Sequence, residues 1–400
     1  MKKNILFSVL CVLACLTASA KDFTLTIAAG DYDRVNYPVT FELTSDSEDI
    51  GSVRLVSENG TEFPVQVQNC GEKYVCSLLL SELKSGETLT LKGVTSVETE
   101  PVPDSAFHWD GTLLKYGGTS VLEFMNAPYD VKNRDNTYKV YHHVYDPTDG
   151  SRRITKGPGG VFPHHRGLFF GFNKISYTDA DGKTQKVDIW HCGGGETQIF
   201  TGFESVTAGK VFAAQTSDID WNGKKGDTFA KEVRTLTSWA ATGGRLLDFR
   251  TVLTPTLKDV RLDGDPQHAG FHFRADNEAA AVTKKQTIYL RPWGTSKPGD
   301  TVNWPLVKSE QTIDQAWKAC SFVLGEKRYS VVYVPCTSNP GESRWSERDY
   351  ARFGCYFEWD MNGQPITLNY RLWIQEGLVT PEFCAALAQS YTHPAVVEVK

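Results

Sequence analysis

Apolar and polar residues alternate with a period of two along most of this chain, and that pattern permits strands and little else. Successive side chains of a strand point to opposite faces, so an alternating segment is apolar on one face only. Phe23-Thr24-Leu25-Thr26-Ile27, Val39-Thr40-Phe41-Glu42-Leu43, Val53-Arg54-Leu55-Val56, Phe63-Pro64-Val65-Gln66-Val67 and Leu89-Thr90-Leu91 read as strands separated by Gly and Asn turns. Their rhythm predicts a small immunoglobulin-like sandwich over residues 21–95. Residues 96–106 lose the periodicity and carry Pro101 and Pro103, which marks a linker. From 107 to 400 the pattern stays β, with strands expected at 121–124, 139–144, 246–253, 329–334 and 367–374. Long amphipathic helices and βαβ alternation are missing, so the expected fold class is all-β. A large antiparallel, supersandwich-like β-sandwich follows the small one. One short helix is expected at 381–389, with Thr380 as its cap and Pro381 at its first position.

The first twenty residues read as a signal peptide. Lys2 and Lys3 precede a short apolar run, and Ala18-Ser19-Ala20 is a small-x-small cleavage site. A rival reading lipidates Cys15, but Leu13 is a poor residue for that recognition. No later segment has the ~20 consecutive apolar residues of a spanning helix. The expected location is therefore periplasmic or secreted. The chain carries 42 Lys+Arg against 48 Asp+Glu, a net charge of −6, which argues against nucleic acid and anionic membranes as partners. Two of the nine cysteines fall in the leader, leaving an odd number. Cys70 and Cys76, flanking a hairpin tip, are the best local disulfide pair.

Five of the nine histidines fall in three short segments. The first is Pro163-His164-His165-Arg166-Gly167. If the chain is extended there, the two imidazoles face opposite ways, one towards a site and one bracing it. The second is Asp188-Ile189-Trp190-His191-Cys192-Gly193-Gly194-Gly195-Glu196, where an acid, a base and a bare backbone suit acid–base work. The third is His268-Ala269-Gly270-Phe271-His272-Phe273-Arg274. On a strand its two histidines and Arg274 share one face, and His272 is the strongest single candidate. The bland alternative for each segment is a structural turn or a buried hydrogen-bonded pair. Residues 339–354 read as a polar, aromatic loop with Arg344, Trp345, Tyr350 and Arg352, and Trp293 sits in a second short loop. Three or four neutral imidazoles with a carboxylate could hold Zn, Mn, Ni or Fe. The ligands would have to converge from distant strands, so a divalent metal stays an open expectation.

Taken together, these segments resemble a bacterial family of exported proteins of unknown function that goes by the name methane oxygenase PmoA. The resemblance rests on Pro-His-His-Arg-Gly-Leu-Phe-Phe-Gly at 163–171, Val-Asp-Ile-Trp-His at 187–191 and His-Ala-Gly-Phe-His-Phe-Arg at 268–274. Further matches are Asn-Pro at 339–340, Arg-Trp-x4-Tyr-x-Arg-x-Gly from 344 to 354 and Tyr-Arg-Leu-Trp-Ile-Gln-Glu-Gly at 370–377. The name itself does not fit, because that membrane subunit needs several spanning helices. The resemblance implies a galactose-mutarotase-like β-sandwich and a carbohydrate substrate. Members often carry Asp-His before Pro-His-His-Arg, where this chain has Val161-Phe162 and so lacks a histidine for a fuller metal site.

The expected function is an exported carbohydrate-active enzyme of polysaccharide degradation, cleaving a glycosidic bond. His165, His191 and His272 would move protons, with Asp188 or Glu196 as the carboxylate. Arg166, Arg274, Arg344 and Arg352 would hold hydroxyls or a uronate, and His164, His268, Trp293, Trp345 and Tyr350 complete the substrate contacts. Ordinary glycosidases use two carboxylates, and no second one stands in a motif. A sugar lyase or epimerase, and a glycan-binding protein without turnover, are the alternatives.

Overall fold

The structure, a computed structural model, describes residues 21–44, 49–305 and 310–400. The expected leader, with Cys15 and the Ala18-Ser19-Ala20 site, lies outside the described residues. Strands take 52% and helices 7% of the described residues, in antiparallel sheets, so the class is all-β. Among the described residues no helix is long and apolar enough to cross a membrane.

The first unit packs a five-stranded sheet on a three-stranded one. Alternate residues of Asp22–Ala28, Arg34–Leu43, Ser52–Ser57 and Tyr74–Leu83 turn inward, and Leu25, Ile27, Val39, Phe41, Leu55, Leu78 and Leu91 form its core. One expectation changes here. The expected second domain ran to residue 400, yet Val396–Val399 returns and pairs with Asp22–Ala28 at the edge of the first sheet. The helix Pro381–Thr392 carries the chain back, with Thr380 Oγ1 accepting from the Phe383 N–H (3.2 Å) as a cap. Ser390 Oγ and the Asp33 carbonyl (3.1 Å), and the Ala395 N–H and Tyr37 Oη (2.8 Å), tie this segment to the first unit. Cys70 and Cys76 are not bonded. Cys76 points into the core while Cys70 is exposed at the turn, and the register sets Val67 opposite Cys76.

The second unit is built from two large sheets. One has eight strands in the order Arg344–Arg348, Arg352–Tyr356, Ala269–Arg274, Leu168–Phe172, Tyr141–Val144, Thr119–Met125, Leu113–Tyr116, Phe107–Asp110. The other has nine and includes Phe212–Asn222, Thr228–Trp239, Arg245–Pro255, Ile366–Glu376 and Lys327–Pro335. Phe170, Phe172, Phe271 and Phe273 of the first meet Phe249, Tyr333, Tyr370 and Leu372 of the second in one core. Phe249 and Phe271 stack with ring centroids 4.1 Å apart.

The expected loop at 339–354 is for the most part a hairpin, Arg344–Arg348 against Arg352–Tyr356, because alternate side chains fill the core. Trp345, expected to meet substrate, is fully buried and packs edge-on to Tyr333 at 5.2 Å. Trp345→Ala should therefore cost about 3–5 kcal/mol of stability, read as a lowered urea midpoint in chemical denaturation.

Candidate metal centre

Strand alternation creates the site. With Phe271 and Phe273 turned into the core, His272 and Arg274 must lie on the outer face of the eight-stranded sheet. Phe169 and Tyr141 join them there, and Trp190 packs over this small cluster. Gly354, opposite His272 in the register, leaves room for that ring; a Cβ there would come within 2.7 Å of it.

Three loops cover this face and each delivers one imidazole. One ring nitrogen from each of His164, His191 and His268 lies within 4.8 Å of the others. Ring centroids are 4.5 Å apart for His164 and His191, 4.6 Å for His191 and His268, and 5.2 Å for His164 and His268. Three imidazole nitrogens bound to a divalent ion at about 2.1 Å stand about 3.0–3.4 Å apart, so small side-chain rotations close the triad on an ion.

Two of these rings are aimed by the same device. Asp188 Oδ1 accepts the N–H groups of Trp190 (2.9 Å) and His191 (2.7 Å), and its Oδ2 accepts from His191 Nδ1 (2.8 Å). Asp265 Oδ1 accepts from the Gln267 N–H (2.9 Å) and from His268 Nδ1 (3.0 Å). Each carboxylate closes a tight turn and holds the proton on Nδ1. That leaves the Nε2 lone pair to face the cluster, as in carboxylate–histidine–metal sites. His164 Nε2 is buried with no protein partner. Burial, with His191 and His268 nearby, pushes the His164 imidazole down to about 3, so it is neutral and can ligate. Burial raises the Asp265 carboxyl, but its bonds to His268, Gln267 and Asn173 outweigh this and hold it below the usual range. The triad is open: the His191 and His268 side chains are 34% and 20% exposed.

The other expected residues fall into layers. His165 is buried behind the triad, its ring stacked on His268 at 5.6 Å. His272 does not reach the open cluster: it is fully buried, edge-on to Trp190 at 5.0 Å, and shares a hydrogen bond with Arg352 (3.2 Å). The shared face expected for His268, His272 and Arg274 is not formed. His268 precedes the strand in the Asp265 turn, and Gly270 has φ +87°, so the alternation starts only after it. Glu196 is buried and braces its own loop, accepting from the Gly194 N–H (2.7 Å) and the Asp188 N–H (3.3 Å). Arg166, Arg274 and Arg352 are buried and bond mostly to backbone carbonyls. Tyr350 lies at the rim, its ring 4.7 Å from that of the exposed Phe162. Arg344 pairs with Glu342 and Glu358 and lies over Trp304; Trp293 sits near Lys318 and Arg291. Neither shows a contact with the triad.

Two contributors went unread. Asp265 repeats the Asp-x-x-His spacing of Asp188 and His191, and that repetition was visible in the chain. Lys139 had no local signal. Its buried Nζ donates to the carbonyls of His164 (2.6 Å) and Trp190 (2.5 Å), clamping two of the loops.

Residues 112–389 match a family of unknown function, DUF6807, and the chain belongs to it. No curated protein matches it in sequence. Among solved structures it is similar to a protein in glycosyl hydrolase family 38 from Enterococcus faecalis (9% identity, TM-score 0.46, 95% of this chain and 47% of that one). It is also similar to an alpha-mannosidase from the same organism (9% identity, TM-score 0.48, 95% and 46%). The chain spans about half the length of these structures.

Asp188→Asn and Asp265→Asn should each weaken divalent-metal affinity about 10–100-fold, measured by competition with a chromophoric chelator. Their circular dichroism should match the parent.

Proposed function

We propose that this chain is an exported, metal-dependent enzyme acting on a carbohydrate. The observation that carries the reading is the triad His164, His191 and His268, with two of its rings oriented by carboxylates. Three imidazole nitrogen donors with open positions suit a first-row transition ion and leave places for water and a substrate oxygen. Such an ion, when bound, polarises an oxygen it touches and makes bound water more acidic.

The protein's own residues hold and aim. Asp188 and Asp265 fix the tautomers of His191 and His268. Lys139 fixes the backbone that carries His164 and His191. Phe162, 42% exposed beside the triad, offers an aromatic face to a sugar ring, with Tyr350 backing it. The arrangement differs from a two-carboxylate glycosidase, because Asp188 and Asp265 are both engaged by histidines and Glu196 by backbone. Metal-assisted cleavage of a glycosidic bond is the reaction proposed, with elimination or epimerisation read out by the same experiment.

Purified protein should hold about one transition-metal ion per chain by elemental mass spectrometry, and His191→Ala and His268→Ala should lose it. A glycan panel should show turnover that stops on chelation and returns with metal. Products gaining one water identify hydrolysis, unsaturated products a lyase, and unchanged mass with altered mobility an epimerase. Full turnover after complete metal removal would overturn the reading.

A further inference from the structure

The layer beneath the triad is rich in buried cationic side chains, with burial and the nearby Arg166 holding the Lys139 amine well below its ordinary range. Arg166, Arg274, Arg352, Lys139 and Lys156 are each 3% exposed or less. Arg166 donates to the carbonyls of Asp135 (2.6 Å) and His165 (2.9 Å). Arg274 donates to those of Ala275 (2.6 Å) and Tyr350 (2.9 Å). Arg352 bonds Ser346 Oγ (3.1 Å) and His272 Nδ1 (3.2 Å), and Lys156 donates to the carbonyls of Gly157 and Gly159. Among the described residues none of the five forms an ion pair. Carbonyls solvate a cation without neutralising it, and the three guanidiniums cannot shed their charge.

Several other buried cations of this chain are matched. Arg234 pairs with Glu232 (2.7 Å), Lys318 with Glu347 (2.8 Å) and Arg371 with Asp248 (2.7 Å). Arg34 and Arg245 also lack a carboxylate, but they stand singly and away from the triad. The clustered charges are felt: burial, with Arg274 and Arg166 close by, pushes the Lys156 ammonium down to about 8. Nε and Nη2 of Arg274 and Nε of Arg352 are buried with no partner. The Asp188 and Asp265 carboxylates that grip two of the imidazoles would offset a divalent ion at the triad, so the three guanidiniums keep no matched anion of their own.

We propose that the triad site takes an anionic glycan, whose carboxylate or sulfate group supplies the counter-charge for the Arg166, Arg274 and Arg352 cluster. This rests on the metal-dependent carbohydrate reading above and names its substrate class. The surface next to the site has the same sign. Lys174, Lys186, Lys224 and Arg261 outnumber Asp188 and Asp263 among the residues that line an open cavity of about 390 Å³. Lys174 and Lys186 are exposed on a four-stranded sheet, Lys186 opposite Ser176 and Lys174 opposite Asp263 in the register, and neither has an ion pair within 4 Å among the described residues. A chain with a net charge of −6 that gathers lysines here is arranged to attract an acidic polymer.

The test is calorimetric titration of the metal-loaded full-length protein with three probes of equal length: an oligogalacturonate, a sulfated galacto-oligosaccharide and a neutral galacto-oligosaccharide. At least one acidic probe should bind ten-fold or more tighter than the neutral one, and the preference should shrink as salt rises. The tighter of the two acidic probes tells carboxylate from sulfate. Substituting buried arginines risks the fold, so the variant is the exposed pair Lys174→Glu and Lys186→Glu. It should lose about ten-fold towards the acidic probe and nothing towards the neutral one, with metal content unchanged. Equal affinity for neutral and acidic probes, or no binding of either acidic probe by metal-loaded protein, overturns the anionic-substrate proposal while leaving the metal reading standing. Failure to bind metal at all overturns the earlier reading first.

Discussion

The packing of the eight-stranded sheet against the nine-stranded one governs everything above it. Phe271 and Phe273 must enter the core, where Phe271 stacks on Phe249, and so His272 and Arg274 are forced onto the opposite face. A sheet that buries phenylalanines on one side and holds imidazole and guanidinium on the other needs a polar cover. The loops 157–167, 188–196 and 264–268 supply it, and their carbonyls satisfy most of the buried cations. The site is thus a consequence of covering a polar sheet face.

Those covering loops are short and tightly turned, which is what lets them aim side chains. Asp188 and Asp265 each accept from the backbone two or three residues on while gripping an imidazole. One carboxylate therefore sets both the loop path and the ring orientation. Lys139 performs the matching task from below by joining two loops through their carbonyls. A constellation held this way loses little entropy on engaging a ligand, because its geometry is determined before the ligand arrives.

The chain's membership of DUF6807 brings no chemistry with it, so the chemistry has to be argued from the outer face of the sheet. Three features there reinforce one another: an open set of imidazole nitrogen donors, an exposed aromatic ring at the rim, and unmatched cations underneath. The first fits a metal, the second a sugar face, and the third an acidic substituent. Each could be satisfied by something else alone, but one acidic sugar satisfies the last two together.

Local alternation determined the strands, the all-β class, the capped helix after Thr380 and the three histidine segments, because these depend only on neighbours in sequence. The spacing of Asp188 and His191 was also legible, since a turn of three residues is a local event. Tertiary structure alone decided which histidines meet. His272 had the better strand position, yet burial under Trp190 withdrew it, while His268 was swung outward by the Asp265 turn. Tertiary structure also moved Trp345 from the surface to the core and returned Val396–Val399 to the first sheet. Both outcomes turn on what packs against a segment from far along the chain, and periodicity carries no record of that partner.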